Sequence, residues 1–357
     1  MLEKSIDSLL KSPTGIPIWW KSREEHIQQF LDNEIIKGNM KLLSTSSGGR
    51  PVRAIFYGEA EPHLRGTANY NSAVASGNVD SYYRKSERKR PVFILIAGVH
   101  GQEMEGIVAT LSLLSLMEKG IDLKGNKRPA LLEKLQKLRM IVIPIINPDG
   151  RARVPYDGWV DLPSEEMHKY GQGTRKNGEL YNYPYNKRVH PMKGDVGILG
   201  GYYDDEGVNM SHDEWACPMS ETTKALLKLV QEEGPDMIAN LHSHESECSI
   251  LPLSNVPENA NIELHRLARM YYRNLECKEY RYKDNGILIP RKKSGLNLNS
   301  MLYHVSGAIC FTHESTHGCS DTYRPAGIIY EKNPYNYDDI LEMHHTLFES
   351  IAEYMLG

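Results

Sequence analysis

Cysteine is scarce in this chain, which has five cysteines in 357 residues and no C-x-x-C pair. Because the cysteines are dispersed and odd in number, we predict neither a disulfide framework nor a thiolate zinc site, and expect reduced, mostly buried thiols. Long apolar runs are also missing: no stretch reaches transmembrane length, and the N-terminus MLEKSIDSLLKSPTG lacks the apolar run and cleavage site of a secretory signal. We therefore expect a cytoplasmic protein without a membrane segment.

The chain also has little surplus of charge, with 42 basic and 46 acidic residues and a formal net charge of -4. This balance provides no broad electrostatic footprint for nucleic acid or an anionic membrane, so neither is expected as a partner. With 40% hydrophobic residues, a chain of this length can bury a large core. The sequence does not indicate an oligomeric state.

What the chain does contain is an alternation of buried runs and helical patterns. Apolar, β-branched runs at 91–99, 140–147, 236–242 and 307–314 predict strands, and amphipathic segments lie between them. This alternation predicts an α/β protein with a mainly parallel sheet covered on both faces, whose ligands gather at the carboxyl ends of the strands. The aperiodic stretch 151–215, and 195–207 within it, is expected to shape a functional surface.

The pattern H-x-x-E occurs three times, at His100/Glu103 and in two overlapping copies that begin at His242 and His244. Spacing cannot choose among them, but only the first follows a buried strand and opens a helix, with glycines that permit a tight turn. His242 also ends a predicted strand and would reach the same edge. Two histidines and one carboxylate are a typical catalytic zinc set, so His100, Glu103 and His242 are predicted to hold zinc.

Glu314 ends another predicted strand and would reach the same edge of the sheet. A carboxylate beside an activated water can take its proton and hand it to a leaving amine, which predicts Glu314 as a general acid/base in amide hydrolysis. Arg175, in the loop GTRKNG, could polarise a carbonyl and stabilise an oxyanion. Taken alone, an arginine in a polar loop is more simply a solvated charge.

These residues stand in an order and context that resemble the zinc metallocarboxypeptidases, the family of carboxypeptidase A. The likeness covers roughly residues 45–320 and rests on HGQEMEG, INPDGR, TRKN, NLHSH and FTHES. It implies a peptide or amide substrate and one zinc ion held by His100, Glu103 and His242. It further implies that Glu314 is the catalytic carboxylate and Arg175 the oxyanion residue.

The resemblance also implies a fold, namely a single α/β/α catalytic domain over 1–357 with a mixed, mainly parallel eight-stranded sheet. Residues 1–40 would form an N-terminal helical extension of this domain. Two departures concern the substrate. Ser211 and His212 replace an Asn-Arg pair that clamps a terminal carboxylate, and Arg291 lies where the family has a mobile tyrosine. We therefore predict a carboxypeptidase with atypical terminal-residue recognition, in which Ser211, His212 and Arg291 contact the substrate.

Three alternatives stay open at this point. An N-acyl amino acid deacylase that resembles aspartoacylase would use a related zinc site. The H-x-H pair His242/His244 is typical of amidohydrolase barrels, but too few residues follow it to complete a barrel. An inactive, peptide-binding homologue would explain the missing clamp and tyrosine, although the retained ligands and Glu314 argue against it.

Overall fold

The computed structural model describes residues 15–61, 66, 68–289, 295–321 and 334–357, and for Tyr185 the backbone alone. Within these residues the strands are β1 (Asn39–Thr45), β2 (Pro51–Tyr57), β3 (Val92–Ala97), β4 (Arg139–Ile143), β5 (Met237–His244), β6 (Ser249–Leu251) and β7 (Ile309–Thr316). They form a seven-stranded sheet in the order β1-β2-β4-β3-β5-β7-β6. The described sheet therefore has seven strands rather than the eight that the family resemblance implied.

The centre of the sheet is parallel and its edges are antiparallel. Strands β4, β3, β5 and β7 pair in parallel, whereas β1 with β2, β2 with β4, and β6 with β7 are antiparallel. Every residue of β3 and β4 is buried, as expected for apolar strands covered on both faces. The predicted mixed, mainly parallel α/β fold is confirmed, and the carboxyl ends of the four parallel strands come together at one edge.

The described helices are α1 (Glu24–Glu34), α2 (Tyr70–Ala75), α3 (Met104–Lys119), α4 (Pro129–Leu135), α5 (Pro148–Arg153), α6 (Ser164–Gly171), α7 (Glu221–Glu233), α8 (Glu258–Cys277), α9 (Leu298–Ser306) and α10 (Tyr337–Leu356), with short 3-10 turns between them. Helix α10 packs on α3, α4 and α8, while α9 packs on α2 and α7. These two groups of helices cover the apolar strands. None of the described helices is long and apolar enough to cross a membrane.

The connection from β3 to α3 depends on two glycines that precede the helix. Gly98 has φ of 65°, a left-handed conformation that glycine adopts without strain. Gly101 lies so close to α5 that a Cβ atom would stand 2.1 Å from the backbone nitrogen of Arg151. Larger residues would therefore displace the loop that carries His100 and Glu103.

The predicted N-terminal extension is described only in part. Helix α1 lies within residues 1–40, and β1 begins at Asn39, while residues 1–14 lie outside the described residues. The division of the chain at residue 40 stays a prediction. Three of the cysteines, Cys248, Cys310 and Cys319, are buried, and all five are free thiols, as the sequence predicted.

Candidate metal centre

His100 and Glu103 are placed by the turn between β3 and α3. Nδ1 of His100 lies 2.7 Å from Oε1 of Glu103, and both side chains are buried. Glu103 is the residue immediately before α3, and Glu105 in the first turn of that helix faces elsewhere, accepting a hydrogen bond from the hydroxyl of Ser243. The strand-turn-helix context predicted for the first H-x-x-E is thus present.

His242 approaches the same carboxylate from β5. Its Nδ1 lies 2.7 Å from Oε2 of Glu103, and its ring lies 4.8 Å from that of His100 between centroids. Although these two atoms are close, their arrangement is not that of a hydrogen bond, and Oε2 of Glu103 accepts none from the described residues. Two ring nitrogens therefore converge on the two oxygens of one buried carboxylate.

The donor set fits a zinc ion. One ligand atom from each of His100, Glu103 and His242 can be chosen so that all lie within 4.8 Å of one another. Two imidazole nitrogens and a carboxylate are the donors that a catalytic zinc site uses, and the unsatisfied Oε2 is a buried lone pair that a cation would satisfy. These three residues are the ones that could hold the metal of this family.

The electrostatics of the three groups agree with a cation-binding role. Burial favours the neutral carboxyl, but the two adjacent histidines outweigh it and hold the pKa of Glu103 well below its usual range. Burial lowers the pKa of His100. Burial opposes a charge on His242 as well, yet the carboxylates of Glu103 and Glu314 raise its pKa. The carboxylate therefore stays ionised and draws positive charge to this point.

Glu314 lies directly beside the cluster of His100, Glu103 and His242. It is the register partner of His242 across the parallel pair β5–β7, and it lines the same cavity. Burial is the main cause that raises the pKa of Glu314 to about 7, and the nearby charge of Glu103 adds to it. A carboxyl group whose pKa lies near neutrality can both accept and donate a proton.

The NPDG turn supports the loop that carries His100 and Glu103, and its residues are not part of the His100, Glu103 and His242 group. Asn147 caps α5, its backbone N–H donates to the carbonyl of Gly98 at 3.0 Å, and its side-chain amide donates to the carbonyl of Val99 at 3.2 Å. Asp149 is fully buried and bonded to the segment between β1 and β2, accepting from Ser46 at 2.6 Å. The motif thus fixes the backbone on which His100 stands.

The other two H-x-x-E matches do not form a second cluster. Nε2 of His244 bonds the backbone carbonyl of Glu247 at 2.8 Å, and burial lowers the pKa of His244 to about 4. Glu245 pairs with His168 on α6. Among the described residues, the one group of metal-type side chains is that of His100, Glu103 and His242.

Ser211 and His212 lie in a short turn at the cavity, where the sequence placed substrate contacts. The turn is held by Asn209, whose side chain accepts from the backbone N–H of Ser211 at 3.0 Å. Burial, followed by the nearby charge of Lys187, lowers the pKa of His212 to about 3. His212 is therefore a neutral hydrogen-bonding group at physiological pH and cannot reproduce the charge of an arginine.

Arg175 is not brought to the cavity. Its guanidinium bonds Asp195 at 3.1 Å and lies 4.7 Å from the ring centroid of Tyr181, and its side chain is 44% exposed. The loop GTRKNG instead pairs with 197–198 by backbone hydrogen bonds, which hold the arginine on the outside. Arg291 lies outside the described residues, so its predicted substrate contact stays a prediction.

The cavity has a volume of about 730 Å³ and contains several residues that the sequence analysis missed. The ring of Tyr202 packs against that of His100, with centroids 4.0 Å apart and the planes inclined by 38°. Lys187 also lines the cavity, bonds the hydroxyl of Tyr183 at 2.9 Å and forms no ion pair with the residues that the structure describes. Tyr202, Lys187 and Tyr183 lie in the aperiodic stretch 151–215. The sequence predicted that this stretch shapes a functional surface but did not single out these three residues.

Two further cavity residues, Asn240 and Thr312, precede His242 and Glu314 by two positions on the same strands. Alternate residues of a strand share a face, so the period of two was a signal that could have found them. His317, Asn299 and Gln172 also line the cavity and carried no such signal.

A buried His-Glu-His cluster beside a carboxylate of raised pKa, at the carboxyl ends of parallel strands, defines the site of a metal-dependent hydrolase. The chain belongs to the zinc carboxypeptidase family, whose sequence model matches residues 39–324. This match covers the predicted ligands, Glu314 and the whole sheet, and it confirms the family resemblance read from the motifs.

Known proteins that resemble this chain at low sequence identity agree with this assignment. The chain is 27% identical to human carboxypeptidase D over 97 residues, which is 26% of this chain and 7% of that protein. A metallo-carboxypeptidase from Burkholderia cenocepacia has the same fold, with a TM-score of 0.57 and 14% identity over 93% of this chain and 68% of the other. The carboxypeptidase A of Helicoverpa armigera has a TM-score of 0.52 and 14% identity, over 93% of this chain and 70% of the other.

Proposed function

We propose that this protein is a zinc carboxypeptidase in which Glu314 is the general acid/base and in which Lys187, Ser211 and His212 replace the usual carboxylate clamp. The observation that carries the proposal is the register of β5 and β7, which sets Glu314 opposite the ligand His242. A proton-transferring carboxylate is thereby held beside the metal by the sheet itself rather than by a mobile loop.

The chemistry follows from the groups around the cavity. A zinc ion held by His100, Glu103 and His242 would supply a Lewis acid that activates water and polarises the substrate carbonyl. Glu314 would accept the proton of the attacking water and deliver it to the amine that leaves. Because its surroundings raise its pKa to about 7, Glu314 can serve in both directions near neutral pH. The hydroxyl of Tyr202, whose ring packs against His100, is a candidate donor to the developing oxyanion.

Recognition of the terminal carboxylate would depend on Lys187. It is the one lysine or arginine that lines the cavity among the described residues. Its ammonium bonds the hydroxyl of Tyr183 and has no carboxylate partner in the described part of the chain, so two of its three N–H groups can donate to a bound carboxylate. His212 is neutral at physiological pH and adds a single hydrogen bond. The ammonium of a lysine is a point charge, which fixes the orientation of a bound carboxylate less than the planar, bidentate guanidinium of an arginine does.

The test is hydrolysis of one peptide series by the zinc-loaded protein, followed by mass spectrometry. The series carries free, amidated and D-residue carboxyl termini, and N-acetylated amino acids are added as substrates of a deacylase. We expect release of the terminal residue from the free-terminus peptides and no release by Glu314→Gln. Preferential cleavage of the N-acetyl amino acids would instead support the deacylase, and stoichiometric zinc without any hydrolysis would support an inactive homologue.

A further inference from the structure

A pair of polar residues, Asn240 and Thr312, lies in the cavity two positions before His242 and Glu314 on the same two strands. Asn240 and Thr312 are register partners across β5 and β7, just as His242 and Glu314 are two residues further along. All four residues line the cavity. Two residues of a strand span about 6.6 Å, so the polar pair stands roughly one side-chain length from the groups that would cleave the substrate.

Asn299, in helix α9, joins the two polar residues into a chain of hydrogen bonds. The Nδ2 of Asn240 donates to Oδ1 of Asn299 at 3.3 Å, and Nδ2 of Asn299 donates to Oγ1 of Thr312 at 2.7 Å. Asn297 caps the same helix through the backbone N–H of Ser300, which fixes α9 against the sheet. We call Asn240, Asn299 and Thr312 the amide relay.

Within the described residues, the amide relay leaves one acceptor and one donor hydrogen without a partner. Oδ1 of Asn240 is buried, in a residue only 2% exposed, and accepts no hydrogen bond from the described residues. Oγ1 of Thr312 is already an acceptor for Asn299, so its own hydroxyl proton is available to a ligand. A buried polar atom without a partner costs roughly 1–3 kcal/mol, which a bound group would recover.

We infer that the amide relay recognises a neutral carboxamide, so that the enzyme prefers Asn or Gln as the residue it releases; this rests on the proposed function. A carboxamide offers an N–H group to Oδ1 of Asn240 and a carbonyl to the hydroxyl of Thr312. A carboxylate has no proton for Oδ1, and an aliphatic side chain satisfies neither atom. An ammonium would leave the hydroxyl proton unused. Leu251 and Leu298 also line the cavity and can contact the methylene groups of such a side chain.

The first experiment compares peptides that differ only in the terminal residue. Asn is matched with its isosteres Leu and Asp, and Gln with Met and Glu. We expect kcat/KM to be higher for Asn or Gln by about 10-fold to 100-fold, because a site built for hydrogen bonds rejects analogues that leave its polar groups unpaired. Equal or better cleavage of the Leu or Asp peptides would overturn the inference while leaving the proposed carboxypeptidase function intact.

The second experiment removes the relay atoms one at a time. Asn240→Leu and Thr312→Val are near-isosteric changes that should bring the Asn/Leu ratio of kcat/KM down to about 1. The matched control is Asn274→Leu on α8, whose amide bonds Ser350 far from the cavity and which should not change that ratio. A ratio that survives both relay substitutions contradicts the inference. Thr312→Val keeps the test valid if Asn240→Leu does not fold.

The third experiment measures binding without turnover. The zinc-loaded Glu314→Gln protein is titrated calorimetrically with the Asn-terminated and Leu-terminated peptides, with and without Thr312→Val. We expect the Asn peptide to bind about 10-fold more tightly, and Thr312→Val to abolish the difference. If the wild-type protein cleaves none of the peptides but this difference is found, the proposed function fails and the recognition stands. If the two peptides bind equally, the recognition fails whatever the activity.

Discussion

Asp149 and Glu103 are both buried carboxylates on adjacent turns at the carboxyl edge of the sheet, yet their surroundings differ. Asp149 receives hydrogen bonds from serine hydroxyls, from backbone N–H groups and from the guanidinium of Arg50 at 2.9 Å. Glu103 faces two histidine nitrogens and leaves Oε2 without a hydrogen bond from the described residues. A carboxylate satisfied by its own chain stabilises the fold, whereas one left incomplete among metal-type donors is available for a ligand.

The largest expected effect is that of Glu103→Gln. This change removes the charged ligand, so zinc content should fall well below one per chain and kcat/KM by about 10⁴-fold or more, because the metal supplies several kcal/mol of transition-state stabilisation. Metal analysis and peptide hydrolysis measure the two quantities. Glu245→Gln, which alters another carboxylate of the cavity, is the control and should keep its zinc. Full zinc occupancy in Glu103→Gln would refute the proposed ligand set.

The next effect is that of Glu314→Gln, which separates proton transfer from metal binding. The amide cannot accept or return a proton, so kcat should fall by about 10³-fold. Zinc content and the melting temperature should remain those of the wild-type protein, since Glu314 is not among the ligands. If zinc were lost together with activity, Glu314 would be acting as a ligand and not as the acid/base.

Asp149→Asn should have the opposite effect, because it should lower the free energy of unfolding and leave catalysis unchanged. Burial favours the neutral acid, but the hydrogen bonds outweigh it and lower the pKa of Asp149. A lowered pKa contributes stability that is present above the unfolded pKa of about 4 and is lost as the pH falls through the folded value. We expect a loss of about 2 kcal/mol in the free energy of unfolding at pH 7, with a smaller difference from wild type at pH 3.

Urea unfolding at the two pH values measures this difference. Asp195→Asn is the control, because Asp195 is an exposed partner of Arg175 and should change stability little. The zinc content and kcat/KM of Asp149→Asn should stay near wild type. A large loss of activity with unchanged stability would mean that the NPDG turn takes part in the chemistry.

From the sequence, His100, Glu103, His242 and Glu314 were expected to meet at one edge of the sheet, because each ends or follows a buried strand, and the structure brings these side chains together there. The sequence also predicted the parallel centre of the sheet, since β-branched runs such as 91–99 alternate with helices. It could not predict Tyr202 or Lys187, which lie in an aperiodic stretch whose path is set by long-range packing. The motif context suggested a role for Arg175, but the pairing of its loop with Asp195 depends on contacts that a motif does not encode.

The smallest expected effect compares two cations, Lys187 inside the cavity and Arg175 outside it. Lys187→Met should raise KM by about 10-fold for peptides with a free carboxyl terminus, because a charge-assisted hydrogen bond is lost, and should leave amidated peptides unaffected. Arg175→Met should change kcat by less than about twofold, since exposed ion pairs contribute little. Steady-state kinetics on both peptide types distinguish the two cations. A loss in kcat of about 10²-fold in Arg175→Met would mean that its loop moves into the cavity when substrate binds, and the oxyanion role predicted from the sequence would then be correct.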